Sequence, residues 1–178
     1  MNSSQKTGFT CWLTGLSGAG KSTLATALSD ALVGQQVAHE LLDGDVVRTN
    51  LSKGLGFSRE DRDTNVLRVG FVCSLLNKHS INTIVALISP YEETRAKLRA
   101  MLPGFIEIYV NCPLDVCIER DPKGLYRRAI AGEIPEFTGI SSPYEPPNSP
   151  EIIVSTHQET VEESVDKILN YLSTHCFL

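Results

Sequence analysis

No stretch of this chain approaches the roughly eighteen consecutive apolar residues that a membrane-spanning helix requires, which argues against a membrane protein. Basic runs are also missing, and the net charge is −5, so a general nucleic-acid binder is excluded and any anion site must be local. Residues 1–8 are polar and lack the apolar core of a secretion signal, so the expected compartment is the cytoplasm. The cysteines Cys11, Cys73, Cys112, Cys117 and Cys176 form no C-x-x-C pair, and the spacing of Cys112 and Cys117 is too loose for a zinc half-site. Reduced, mostly buried thiols are expected. A length of 178 residues suits a single domain spanning residues 1–178 with a sizeable core.

What the chain does have is a complete Walker A pattern, Gly15-Leu16-Ser17-Gly18-Ala19-Gly20-Lys21-Ser22, followed by Thr23. The glycines let the backbone turn tightly and aim successive N–H groups at a phosphate chain. Lys21 supplies a positive charge for the β- and γ-phosphates, and Ser22 a hydroxyl for Mg²⁺. Residues 9–13 form an apolar, β-prone run just before this loop. Leu24, Ala27, Leu28, Ala31 and Leu32 follow at helical spacing. The loop thus joins a buried strand to a helix N-terminus, where the helix dipole favours an anion.

Strand and helix patterns alternate along the rest. Strands are expected at residues 37–42, 83–88, 105–110 and 152–154, and helices at 61–78, 92–101, 114–120, 125–131 and 160–173. This order predicts an α/β fold of the P-loop NTPase type, a parallel sheet with helices on both faces. Residues 132–150 break the rhythm with Pro135, Gly139, Pro143, Pro146, Pro147 and Pro150. So long a loop in a compact domain reads as a lid, expected over about residues 121–150, and Phe137 and Tyr144 suit one that packs on something.

Ligands in such a sheet bind beyond the carboxyl ends of the strands. The Walker loop, Asp43 and Asp45, and Ser89 with Pro90 all fall there. No apolar run ends in a lone Walker B aspartate, so the acidic partner for Mg²⁺ or for the nucleophile is expected from Asp43-Gly44-Asp45. Arg48, Arg62 and Arg68 lie downstream, and a guanidinium fork matches phosphate and sulfate oxygens. Arg62 and Asn65 are three apart and share a helix face.

These residues resemble the adenylyl-sulfate kinase family, and the similarity runs from about Gly8 to the C-terminus. It rests on the Walker loop, on Leu42-Asp43-Gly44-Asp45-Val46-Val47-Arg48, on Leu55-Gly56-Phe57-Ser58-Arg59-Glu60-Asp61-Arg62 and on Ile88-Ser89-Pro90-Tyr91. It continues through Arg120-Asp121-Pro122-Lys123-Gly124-Leu125-Tyr126, Phe137-Thr138-Gly139-Ile140 and Pro143-Tyr144-Glu145. The resemblance implies transfer of a phosphoryl group from ATP to the 3′-hydroxyl of adenosine 5′-phosphosulfate.

By the same resemblance, Gly15 to Thr23 bind ATP, Arg120 covers the donor adenine, and Ser22 with Asp43 serves Mg²⁺. Asp45 is the base or orienting acceptor at the ribose hydroxyl. A carboxylate with an ordinary pKa near 4 is a weak base, which favours the orienting role. Arg48, Arg62 and Asn65 grip the phosphosulfate, and Phe57 and Phe137 sandwich the acceptor adenine. Lys123, Gly124 and Leu125 open the lid that excludes water, and Thr138 joins them at the substrate. Ser89 is the family's phosphoserine candidate, but no neighbouring base such as His accompanies it, so direct in-line transfer is expected with Ser89 as a positioning group. A homodimer is implied as well.

The chain departs from the family at Leu67, Glu92, Ile130, Pro135 with Glu136, and Ser141, mostly positions where a basic residue is usual. Loss of positive charge around a dianionic acceptor is expected to weaken its binding. A kinase for another small acceptor, or a nucleotide-binding regulator without turnover, are the alternatives.

Overall fold

The computed structural model describes residues 7–178; most of the polar N-terminal stretch lies outside them. In chain order the elements are β1 (Thr10–Thr14), α1 (Lys21–Gly34), β2 (His39–Asp43), α2 (Gly44–Asn50), α3 (Arg59–Lys78) and β3 (Asn82–Ala86). Then come α4 (Glu92–Met101), β4 (Phe105–Asn111), α5 (Leu114–Arg120), α6 (Leu125–Ile130), β5 (Ile152–Ser155) and α7 (Val161–Thr174). The five strands form one sheet in the order β2-β3-β1-β4-β5, and every neighbouring pair is parallel. This is the expected α/β architecture.

Alternation along the central strand sends its side chains to opposite faces, and each face builds its own core. Cys11 and Leu13 of β1 join Ile84, Ile106 and Ile108 beneath Leu24, Leu28 and Leu32 of α1 and Val165, Ile168 and Leu172 of α7. Trp12 joins Val85 and Phe105 beneath Val66, Val69 and Cys73 of α3, Leu98 of α4 and Leu102 just after it. On this second face α3 and α4 meet closely at Gly70, where an added Cβ would lie 2.3 Å from Leu98 Cδ2. All five cysteines are free thiols, four of them buried, and burial pushes Cys11 up to about 12.

One helix departs from the sequence reading. No helix is expected directly after Asp43-Gly44, yet Asp43 ends β2 and at once caps α2, its Oδ1 accepting from Asp45 N at 3.1 Å. A side-chain cap offsets the poor helix propensity of Gly44 and stiffens the segment that carries Asp45 and Arg48. Ser58 likewise caps α3, which starts at Arg59 rather than at residue 61.

The segment read as a lid divides in two. Its later part is fastened to the sheet. Tyr144 stacks on Tyr109 with ring centroids 6.2 Å apart, and its hydroxyl meets Thr14 Oγ1 at 3.0 Å. Glu145 N donates to Pro90 O at 2.8 Å. The earlier part, with α6 and Thr138, reaches over the carboxyl edge of the strands. No helix among the described residues is long and apolar enough to cross a membrane.

Candidate active site

The Walker loop leaves β1 and turns into α1 at Gly20, whose φ of 97° is left-handed and favours glycine. Lys21 Nζ lies in the loop's own concavity, donating to Gly15 O at 2.9 Å and Leu16 O at 2.7 Å. Loss of water around this ammonium lowers its pKa from 10.5 to about 8, with the Lys123 charge acting in the same direction. Ser22 Oγ donates to Asp43 Oδ2 at 2.6 Å, so β2 delivers its terminal carboxylate to the loop hydroxyl.

A cavity of about 740 Å³ opens over this edge of the sheet. Ser17, Gly18, Gly20, Lys21, Ser22 and Thr23 of the Walker loop line it together with Arg48, Phe57, Arg62, Asn65 and Thr138, and so do Asp43 and Asp45. Arg120, Lys123, Leu125 and Phe137 complete the expected set found in the cavity. Gly15, Leu16, Ala19 and Gly124 do not line it. Leu16 lines a second groove behind the loop, next to Gly139, while its carbonyl and that of Gly15 hold Lys21. Gly124 is the left-handed cap of α6.

Two guanidinium groups share the far end. Arg48 lies over the Phe57 ring, 4.6 Å from its centroid, and Arg62 5.9 Å from it. Burial lowers the pKa of both, and for Arg48 the charge of Arg62 adds to the effect. Cations that repel one another and are short of water favour an anion that bridges them. Arg62 also fixes the roof, donating from Nε to Phe57 O at 2.7 Å and from its terminal nitrogens to Thr138 Oγ1 and Glu136 O. Asp45 is exposed and paired with Lys123 Nζ at 2.5 Å, which links α2 to the start of the lid. Phe137 packs edge-on against Tyr126, with centroids 5.1 Å apart.

Ser89 is buried, with a left-handed φ of 46°, and its hydroxyl accepts from Trp12 Nε1 at 2.9 Å. Its backbone and that of Pro90 border the cavity. Arg120 is tied to the β5–α7 connection, donating to Thr156 O at 2.8 Å, while Thr156 Oγ1 donates to Ala19 O at 2.7 Å. Thr156, Glu159, Thr160, Val161 and Ser164 also line the cavity, and sequence reasoning missed them. The available signal was the Thr160-x-x-Glu163 capping box, which marks a helix start and is fully formed in the fold.

The family model described as Adenylylsulphate kinase matches residues 7–155. The chain belongs to the adenylylsulphate kinase family. This adenylylsulphate kinase family member is 58% identical over 165 residues to the adenylyl-sulfate kinase of Gloeothece citriformis, covering 93% of this chain and 94% of that one. It is 57% identical over 166 residues to the enzyme of the same name from Microcystis aeruginosa, covering 93% and 92%. Among solved structures, the APS kinase CysC of Mycobacterium tuberculosis in complex with AMPPNP and APS superposes with a TM-score of 0.90 at 39% identity, covering 95% of this chain and 99% of that one.

The departures from the family pattern fall outside the cavity. Leu67, Glu92, Ile130, Pro135, Glu136 and Ser141 are all missing from its lining. Leu67 packs against the α3–α4 core, Ile130 faces solvent, and Glu92 binds Arg95 at 2.5 Å. The two arginines of the pocket are intact, and Glu136 still acts on one of them, through its charge and through its carbonyl, which accepts from Arg62.

Proposed function

We propose that this chain transfers the γ-phosphoryl group of ATP to the 3′-hydroxyl of adenosine 5′-phosphosulfate, yielding ADP and 3′-phosphoadenosine 5′-phosphosulfate. The observation that carries this reading is that a single cavity joins a Walker loop to a paired-arginine pocket beside Phe57, with Asp45 also in its lining. Two nucleotides can meet there end to end.

Phosphoryl transfer passes through a loose transition state, so positioning and charge neutralisation carry most of the catalysis. Lys21, held by two carbonyls, turns to the β- and γ-phosphates when they arrive. Arg48 and Arg62 take the phosphosulfate, whose oxygens only accept hydrogen bonds. Phe57 and Phe137 flank the acceptor base, Asn65 and Thr138 close the same end, and Arg120 sits on the donor side. Asp45 accepts a hydrogen bond from the ribose hydroxyl and orients it for in-line attack; Lys123 releases it for that role. Ser89 shapes the wall, and Lys123, Gly124 and Leu125 begin the cover that keeps water out.

Mg²⁺ fits the hard-oxygen pair of Ser22 and Asp43, 2.6 Å apart. Among the described residues no cluster of three or more His, Cys, Asp or Glu side chains forms a metal cage, in keeping with an ion that also takes phosphate and water oxygens. When bound, it neutralises charge on the transferring phosphate. The assembly in solution is read as a homodimer by family resemblance, which light scattering on the purified chain tests.

An ADP-release assay with Mg·ATP and adenosine 5′-phosphosulfate tests the function, with gluconate, shikimate and adenosine 5′-phosphate as competing acceptors. Release dependent on adenosine 5′-phosphosulfate is expected. Release driven by another acceptor, or by none, overturns the reading.

A further inference from the structure

Beside the Ile88–Pro90 part of the cavity lining lies an ionic cluster whose charged side chains line no part of the cavity. Arg95 of α4 is 1% exposed. Its Nε donates to Glu107 Oε1 at 2.8 Å and one Nη to Ser89 O at 2.7 Å. The other Nη reaches Glu92 Oε2 at 2.5 Å and Glu145 O at 2.7 Å. Four elements of the chain thus converge on one guanidinium: the β3–α4 loop, the start of α4, β4, and the fastened part of the 132–150 segment.

Two further bonds hold the same loop, and a third steadies Thr14. Trp12 Nε1 donates to Ser89 Oγ, and Thr14 Oγ1 donates to Ile88 O at 2.7 Å while meeting the Tyr144 hydroxyl. Thr14 is the last residue before the Walker loop. The strained turn at Ser89 is therefore over-determined from below, and its upper side, with Ile88 and Pro90, is a wall of the cavity. Strain of this kind persists only where the surroundings enforce it. A buried arginine with a buried carboxylate is also no economical route to stability, since apolar replacements of both commonly serve as well.

Resting on the function proposed above, we infer that Arg95 is a positioning residue for the acceptor: it acts through the Ser89 carbonyl to set the wall against which the acceptor is held. Lysine keeps the charge beside Glu107 but lacks the planar fork that reaches Ser89 O and Glu145 O together. Misplacing a binding wall by a fraction of an ångström is felt in the affinity of what leans on it. Beyond its root at Thr14, the Walker loop has braces of its own in Thr156 and in Tyr126, which donates to Ser17 O at 2.9 Å.

Steady-state kinetics of Arg95→Lys, varying each substrate in turn, test the inference. The KM for adenosine 5′-phosphosulfate is expected to rise about tenfold and the KM for ATP to stay within about twofold. An unchanged acceptor KM, or parallel rises in both, overturns it. Should Arg95→Lys fail to fold, Arg95→Met with Glu107→Met removes both charges and is held to the same two criteria. Trp12 is the only tryptophan, so its indole N–H gives one resonance that reads the Ser89 contact without turnover. A displaced resonance in the variant is expected, and an unmoved one overturns the clamp. A wild type that does not use adenosine 5′-phosphosulfate contradicts the proposed function instead, while the resonance still judges the clamp.

Discussion

Lys21 shows how far one residue's surroundings decide its chemistry. With its pKa near 8, the nucleotide-free protein holds a partly discharged lysine in mildly alkaline solution. Phosphates favour the charged form, so affinity follows protonation of the free protein. ATP affinity is expected to hold below pH 8 and to fall about tenfold per pH unit above it, until the pKa of the complex is reached, as read by calorimetry. The linkage for stability has the opposite sign. The unfolded chain binds this proton up to about pH 10.5, so Lys21 makes the nucleotide-free fold more stable as pH rises from about 8 toward that value. Lys21→Ala should abolish transfer while leaving a folded protein by circular dichroism, because the ammonium is held by two loop carbonyls rather than by the core. Asp45→Asn keeps the shape but loses the Lys123 ion pair and the strong acceptor. Turnover should fall by about a hundredfold or more with ATP affinity changed less than about threefold. A loss confined to ATP binding would make Asp45 a metal residue.

At the scale of elements, the close approach of α3 and α4 at Gly70 is a sharp target. Gly70→Ala places a methyl 2.3 Å from Leu98 Cδ2, and overpacking should cost about 1–3 kcal/mol, visible as a lower thermal midpoint with substrate KM values unchanged. The longer elements were legible because their apolar spacing is strong: the central strands read as unbroken buried runs and α7 as an amphipathic stripe. The short helix α2 was not, because Asp-Gly is a turn signal and the cap that turns it into a helix start depends on the end of β2. The fastening of Tyr144 was hidden for another reason. Its partners Thr14 and Tyr109 are remote in sequence, and no local pattern announces such a contact.

For the whole molecule, parallel order puts every strand's carboxyl end on one edge, so residues scattered from Ser17 to Ser164 meet in one cavity. The motifs made the Walker loop legible without any structure. The acceptor side was legible through family resemblance and not through spacing, since Arg48, Phe57 and Arg62 come together only when α2 packs beside α3. The donor-side group around Thr156 and Thr160 stayed hidden because nothing local sets ordinary polar residues apart from any other helix start. Saturating Mg·ATP, at about a hundred times its Kd, should stabilise the fold by about 2.7 kcal/mol and raise the thermal midpoint accordingly. Asp43→Ala should lower that gain in Mg²⁺, and loss of the α2 cap should also lower the metal-free midpoint in EDTA by the equivalent of about 1 kcal/mol.

On the proposed function, donor and acceptor meet end to end in one cavity. Calorimetric titration of adenosine 5′-phosphosulfate into the ADP-loaded protein addresses it most directly. One acceptor should bind per chain with ADP retained, and Arg48→Ala should weaken that acceptor about tenfold or more while ADP affinity is unaltered. Displacement of ADP by the acceptor, or an acceptor affinity indifferent to Arg48, would contradict it.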